Sequence, residues 1–244
     1  MASLLQKLLL IIQLLFVSLV VATNNSSIIL PAGGCSDVCG SVHIPYPFGT
    51  KSGCSYDDSF LITCNNSLNP PRPFLPQTHI PIINILLESG ELRVDAAGFV
   101  SSECSEKQGQ QRIAKYNKTA SFKTSNSSTF PLSTRNKFTT LGCRTVGVIA
   151  GEKGKPYHTG CVALCEKAED LNNMSCSGRG CCQMNIPRRV IDYNIVVAHF
   201  VTVEVEDKLI LEFDPCGYAF VVEEAAYEFM VSDLKSMERK TFPV

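Results

Sequence analysis

Cys176-Ser-Gly-Arg-Gly-Cys181-Cys182-Gln-Met-Asn-Ile-Pro187 is the stretch on which the reading of the fold turns. It packs three cysteines into one short loop, closed by a proline, within a chain that holds twelve cysteines. All twelve follow a hydrophobic N-terminal leader. Thiols in such number do not stay reduced in an oxidising compartment, so they read as a disulfide framework. The fold class expected is mostly β, built of disulfide-rich secreted modules with short strands, long loops and little helix.

The leader carries one positive charge, Lys7, and then an apolar run from Leu8 to Val21 broken only by Gln13 and Ser18. Val20 and Ala22 are the small residues wanted before a cleavage site. The apolar run is about 14 residues, short of the roughly 20 that cross a bilayer as a helix. Residues 1–22 therefore read as a signal peptide, and 23–34 as a short polar lead-in. Further on, Ile191 to Phe213 is interrupted by Asp192, Asn194, His199, Glu204, Glu206 and Asp207, so no membrane span is expected. The expected route is the secretory pathway to the extracellular space.

Cys35, Cys39, Cys54, Cys64, Cys104, Cys143, Cys161, Cys165, Cys176, Cys181, Cys182 and Cys216 make an even set that can pair completely, in a connectivity the sequence leaves open. Zinc competes for them, because Cys161, Cys165, Cys176, Cys181 and Cys182 could imitate a thiolate cluster. Adjacent cysteines are awkward for one tetrahedral site, and no Cys-x-x-Cys pair suggests thiol exchange. Disulfides are the expectation, with no metal and no cofactor. Sequons at Asn65, Asn117, Asn126 and Asn173 are candidate glycosylation sites, while those at Asn24 and Asn25 abut the cut.

Two cysteine-rich units are expected, 35–150 and 151–244. In the first, Ile44-Pro45-Tyr46-Pro47-Phe48-Gly49 alternates prolines, so the backbone there is stiff and cannot be an interior strand. Tyr46 and Phe48 either project towards a ligand or plug the edge of a core. Ile80 to Leu87 and Glu91 to Val94 read as a hairpin turning at Gly90. Strands are also expected over Phe60–Cys64, Phe138–Ile149, Tyr193–Val205, Leu209–Phe213 and Tyr218–Val222. Only Ala225 to Arg239 has helical spacing.

The formal net charge of −1 hides a segregation. Lys107, Arg112, Lys115, Lys118, Lys123, Arg135, Lys137 and Arg144 lie in a stretch with no acidic residue, whereas Phe200 to Glu228 is acidic apart from Lys208. Such segments either attract a polyanion or face each other within the fold. Signatures of enzymes are absent from the string: no Gly-x-Ser-x-Gly, no phosphate-binding loop and no His-Glu-x-x-His. No feature points to nucleic acid.

Cys39-Gly-Ser-Val-His-Ile-Pro-Tyr-Pro-Phe-Gly49 resembles the opening of the galacturonan-binding domain of plant wall-associated receptor kinases. The spacing on to Cys54 and Cys64, Gly90-Glu-Leu-Arg-Val94 and Asn136-Lys-Phe-Thr-Thr-Leu-Gly-Cys143 are similar to that family's pattern. Cys176 to Pro187 and Cys216-Gly-Tyr-Ala-Phe-Val-Val-Glu-Glu224 resemble its second extracellular module. The resemblance implies a non-catalytic receptor ectodomain on the outer face of the plasma membrane that binds cell-wall pectin and oligogalacturonides. Family members continue into growth-factor-like repeats, a membrane helix and a Ser/Thr kinase, none of which lies before Val244. The polysaccharide-binding candidates that follow are Arg72, held in Pro70-Pro-Arg-Pro73, the eight cations from Lys107 to Arg144, and the aromatic residues Tyr46, Phe48 and Tyr116. The alternative is a secreted protein-interaction module or decoy that acts on other receptor ectodomains.

Overall fold

Several of the strands form where β-branched and aromatic residues run, as over Thr145–Gly151, Asp192–His199 and Cys216–Glu223. The computed structural model describes residues 34–108, 111–123, 130–151, 156–200, 212–237 and 242–244. In chain order the strands are β1 (Val38–Cys39), β2 (Val42–His43), β3 (Thr63–Asn65), β4 (Arg72–Phe74), β5 (Ile82–Leu86), β6 (Glu91–Val94), β7 (Ser101–Gln108) and β8 (Gln111–Lys118). They continue as β9 (Ala120–Lys123), β10 (Asn136–Leu141), β11 (Thr145–Gly151), β12 (Tyr157–Ala163), β13 (Cys181–Asn185), β14 (Asp192–His199) and β15 (Cys216–Glu223). The mostly-β, disulfide-rich reading is what the structure shows.

Two sheets dominate, one of order β13-β10-β15-β7-β8 and one of order β12-β11-β14-β9, with every strand pair antiparallel. Their inner faces meet at Gly147 of β11. A Cβ there would lie 2.2 Å from Thr140 Oγ1 and 3.1 Å from both Ala219 Cβ and Phe138 Cζ, so only glycine permits this approach. The five-stranded sheet is buried on its other face too. Leu141, Phe220 and Val222 pack there against Tyr227, Phe229, Leu234 and Phe242. Burial on both faces explains why Cys216 to Val222 reads as a continuous run without polar alternation.

Residues 35–64 form a knot of short strands. Cys35–Cys54 and Cys39–Cys64 tie it together. The remaining bridges are Cys104–Cys216, Cys143–Cys165, Cys161–Cys182 and Cys176–Cys181, so all twelve cysteines are paired. Adjacent Cys181 and Cys182 suit a strand, because successive side chains point to opposite faces. Cys181 turns into the cluster on the outer side of the five-stranded sheet, while Cys182 crosses to Cys161 and joins β13 to β12. The final residues run between β6 and β15. Val94 and Val244 exchange backbone hydrogen bonds of 3.0 Å, and Glu223 N–H donates to the Pro243 carbonyl at 2.8 Å.

The hairpin read around Gly90 is present as β5 and β6. Three local readings need correction. Phe138–Ile149 is two strands, broken by a turn through Gly142 (φ +129°) and Arg144 (φ +57°). Phe60 lies in a 3-10 turn, and the strand starts at Thr63. Ala225–Arg239 forms no α-helix among its described residues; it has two 3-10 turns, Glu224–Ala226 and Val231–Leu234, pinned by the Tyr227 hydroxyl donating to Asp233 Oδ2 at 2.8 Å. The expected strand residues 201–205 and 209–211 lie outside the described residues. Cys35–Val244 forms one compact unit. The expected division at residue 150 falls within β11, whose partners β12 and β14 both lie beyond it.

Candidate functional site

A cleft of about 350 Å³ opens between the hairpin β5–β6 and the segment that leads into β10. Leu75, Leu92, Phe122, Phe130 and Leu132 give it apolar walls, and Glu91, Ser133 and Asn136 supply polar groups. Ser133 is the pivot of the leading segment. Its hydroxyl donates to Glu91 Oε1 at 2.8 Å and accepts the Arg135 N–H at 3.2 Å.

The charges around this cleft are mutually satisfied. The Arg135 guanidinium reaches Glu91 Oε2 at 2.8 Å with one nitrogen and Glu223 Oε1 at 3.0 Å with the other. Arg93 donates to the second oxygen of Glu223. Lys137 Nζ donates to Asn185 Oδ1 at 2.6 Å and pairs with Glu224 Oε1 at 3.0 Å. The basic and acidic stretches therefore meet each other at this end of the sandwich. Pairing of this kind fixes the hairpin onto β15 but leaves Arg135 and Lys137 poorly placed as spare cations.

The other candidates scatter. Arg72 is exposed on β4, with no acidic partner among the described residues. Lys118 is half-buried at the end of β8, and Arg144 is half-buried in the β10–β11 turn, at the opposite end of the strands from Arg135. Lys107, Arg112, Lys115 and Tyr116 lie on β7 and β8, and Lys123 on β9, with side chains outside the described part of the structure. Tyr46 is half-buried. Phe48 is corrected to a core residue: it is 8% exposed, its ring centroid 5.2 Å from Phe60 and 6.0 Å from Phe130, so no face is open to a sugar. Of the sequons, Asn65 caps a turn by accepting the Ser67 N–H at 2.9 Å, and exposed Asn173 accepts the Val231 N–H at 2.9 Å. Asn117 lies on β8 with its side chain outside the described part, and Asn126 lies outside the described residues.

Sequence reasoning missed the pair Arg188–Arg189. Both are exposed, with no acidic partner among the described residues, in a turn between buried Ile186 and Val190. The Val190 carbonyl accepts the Leu132 N–H at 2.7 Å, which ties the turn to the cleft wall. The signal was available in Ile186-Pro-Arg-Arg-Val190, two arginines set behind a proline and held between apolar anchors.

A second constellation is sealed inside the protein. His199 Nδ1 lies 2.8 Å from Thr145 Oγ1, and His199 Nε2 lies 3.9 Å from Asp214 Oδ2, all with buried side chains. Asp214 accepts the Cys143 N–H. Burial pushes the Asp214 carboxyl well above its usual range, opposed by that backbone hydrogen bond. A Cβ at Gly217 would lie 2.8 Å from Thr145 Cγ2 and 3.1 Å from His199 Cβ, so glycine makes room for the cluster. Thr145 is fully buried and has no path to a substrate, which assigns the trio to structure. Among the described residues no three His, Cys, Asp or Glu groups converge as a metal site. Among them, too, no helix is long and apolar enough to cross a membrane.

Residues 35–96 match the family described as wall-associated receptor kinase galacturonan-binding. The chain is 36% identical over 218 residues to wall-associated receptor kinase 2 of Arabidopsis thaliana, a match covering 88% of this chain and 27% of that protein. It is 31% identical over 223 residues to wall-associated receptor kinase 1 and 33% identical over 231 residues to wall-associated receptor kinase 3 of the same plant. Those matches cover 88% of this chain in both cases, and 27% and 29% of the relatives. The chain thus spans little more than a quarter of the length of these relatives. No solved structure matches it.

Proposed function

The chain belongs to the wall-associated receptor kinases by its extracellular region, and on that premise we propose that it binds de-esterified pectin in the cell wall and performs no catalysis of its own. The observation that carries this reading is the match of residues 35–96 to a galacturonan-binding family, with Arg72 presented on β4 of that region, exposed and in no ion pair among the described residues. De-esterified pectin carries one carboxylate per galacturonate. A planar guanidinium meets a carboxylate with two parallel hydrogen bonds, which a methyl ester no longer offers as a charged acceptor. Each exposed ion pair contributes about 0–1 kcal/mol, so useful affinity requires repetition along the polymer. Lys118 and the cations of β7, β8 and β9 are further candidates for that repetition.

The test is binding of the secreted, oxidised protein to de-esterified and methyl-esterified oligogalacturonides across a salt series. The expected result is selective binding to the charged form that weakens with salt, and a further loss with Arg72→Glu. No binding to either form by folded, thiol-free protein would end the reading.

One observation favours a second reading, a protein-interaction module or decoy. The outer face of the four-stranded sheet presents Val148, Val162 and Val196 at 37%, 46% and 53% exposure, where a solvated sheet would carry polar residues. Capture of another receptor ectodomain that persists in excess oligogalacturonide would support it.

A further inference from the structure

We propose that the pectin path does not end with the matched residues 35–96 but crosses the cleft onto the turn 187–190, where Arg188 and Arg189 hold a second set of galacturonate carboxylates. The inference rests on the pectin-binding reading above and extends it to residues outside the matched region.

Charge availability comes first. Arg93, Arg135 and Lys137, the cations beside the cleft, are already committed to Glu91, Glu223 and Glu224. Arg188 and Arg189 are exposed and have no such partner among the described residues. Among the described side chains they are unspent positive charge next to the wall that Leu132 provides.

The turn is also held still. Ile186 and Val190 on either side are 4% and 3% exposed, and Pro187 fixes its own φ. The Leu132–Val190 hydrogen bond clamps the turn from the cleft side. Arg189 has φ +67°, a left-handed conformation that costs a residue with a side chain and is commonly kept where function needs it. A cation on a fixed backbone loses less freedom on binding than one on a loose loop.

Position completes the case. Leu75 lines the cleft three residues after Arg72, which sets Arg72 roughly 10 Å further along an extended chain. Arg72 belongs to the chain segment that leads into the lining residue Leu75, and Arg188–Arg189 to the turn hydrogen-bonded to the lining residue Leu132. A linear polyanion can run between cations that stand at separate points beside the cleft, and Arg72 and Arg188–Arg189 are tied to different lining residues, Leu75 and Leu132.

The experiment compares wild type, Arg188→Gln/Arg189→Gln, Arg188→Lys/Arg189→Lys and Arg72→Glu, each as the full secreted chain, against a trimer and a dodecamer of de-esterified galacturonate. Wild type should bind the dodecamer more tightly than the trimer. The glutamine pair should weaken dodecamer binding by about tenfold or more and leave the trimer within about twofold, since it removes length-dependent contacts. The lysine pair should fall between, because charge remains while the fork is lost. Arg72→Glu should weaken both. Dodecamer binding equal to wild type in folded glutamine-pair protein overturns the inference and leaves the pectin reading standing. If wild type binds neither oligomer, the pectin reading falls and takes the inference with it. Should the glutamine pair fail to fold, an unweakened lysine pair overturns the inference in its place.

Discussion

Arg135 Nη2 lies 3.0 Å from Glu223 Oε1, 88 positions away in the chain. The contact joins the basic stretch to the acidic one, so a charge segregation that looks like a binding face in the string is partly consumed in holding β6, β10 and β15 together. What is left over for a ligand is a smaller and different set of cations.

Glu223 should be the anchor of that network. Its side chain is 17% exposed and serves both Arg93 and Arg135, whereas the Arg135 side chain is 59% exposed. Glu223→Gln should cost about 1–3 kcal/mol, because it leaves charged donors underserved. Arg135→Gln should cost less than about 1 kcal/mol. Urea unfolding of both variants decides the ranking, and equal losses would remove Glu223 from its central place.

Gly147→Val should destabilise the sandwich. The added side chain meets Thr140, Ala219 and Phe138 across the sheet interface, and overpacking of this kind costs about 1–3 kcal/mol or more. A melting temperature unchanged from wild type would mean that the sheets separate without penalty.

Cys104 and Cys216 are direct partners in the β7–β15 register, with Cα atoms 4.0 Å apart and a sequence separation of 112. Replacing both with serine should lower stability by about 4 kcal/mol, because a long loop regains freedom when unfolded. Chemical denaturation under non-reducing conditions measures it. A loss no larger than that for Cys176→Ser/Cys181→Ser, which opens a loop with a separation of only 5, would contradict the loop-length argument.

Asp214 gives a pH signature. With its pKa raised by burial, the folded chain keeps this proton at pH values where the unfolded chain has released it. The native state then binds more protons, so stability is fully present below about pH 4 and declines as pH rises through the folded-state value. Asp214→Asn removes that titration and keeps an acceptor for the Cys143 N–H. Wild type should lose stability relative to the variant on going from pH 4 to pH 7, followed by urea unfolding. A gap that stays constant over that range counts against the prediction.

Local patterns carried much of this fold in the sequence. Gly90 between the runs Ile80–Leu87 and Glu91–Val94 announced the β5–β6 hairpin, and the even set of cysteines behind a leader announced six bridges. The break at Gly142–Arg144 was harder to see, since β-branched residues lie on both sides and only a left-handed backbone interrupts them. The helical spacing after Ala225 misled because Tyr227, Phe229 and Leu234 are placed by packing in the cluster around Phe220 and by Asp233, without α-helical hydrogen bonding. The site was less legible still. Whether Arg135 is free or Phe48 exposed depends on partners such as Glu223 and Phe130, which are remote in sequence and carry no local mark.

The cross-links also limit how far the molecule can be stretched. Cys35–Cys54 and Cys39–Cys64 lock residues 35–64, and Cys104–Cys216 short-circuits everything between its ends. A tug applied between Cys35 and Val244 could lengthen the chain only through residues 65–103 and the tail beyond Cys216. Roughly 260 Å of contour stays withheld behind the Cys104–Cys216 bond, because Cys143–Cys165 and Cys161–Cys182 lock most of residues 143–182 in their turn. Under tension this polypeptide would behave as a short leash with hard stops, not as an unravelling thread.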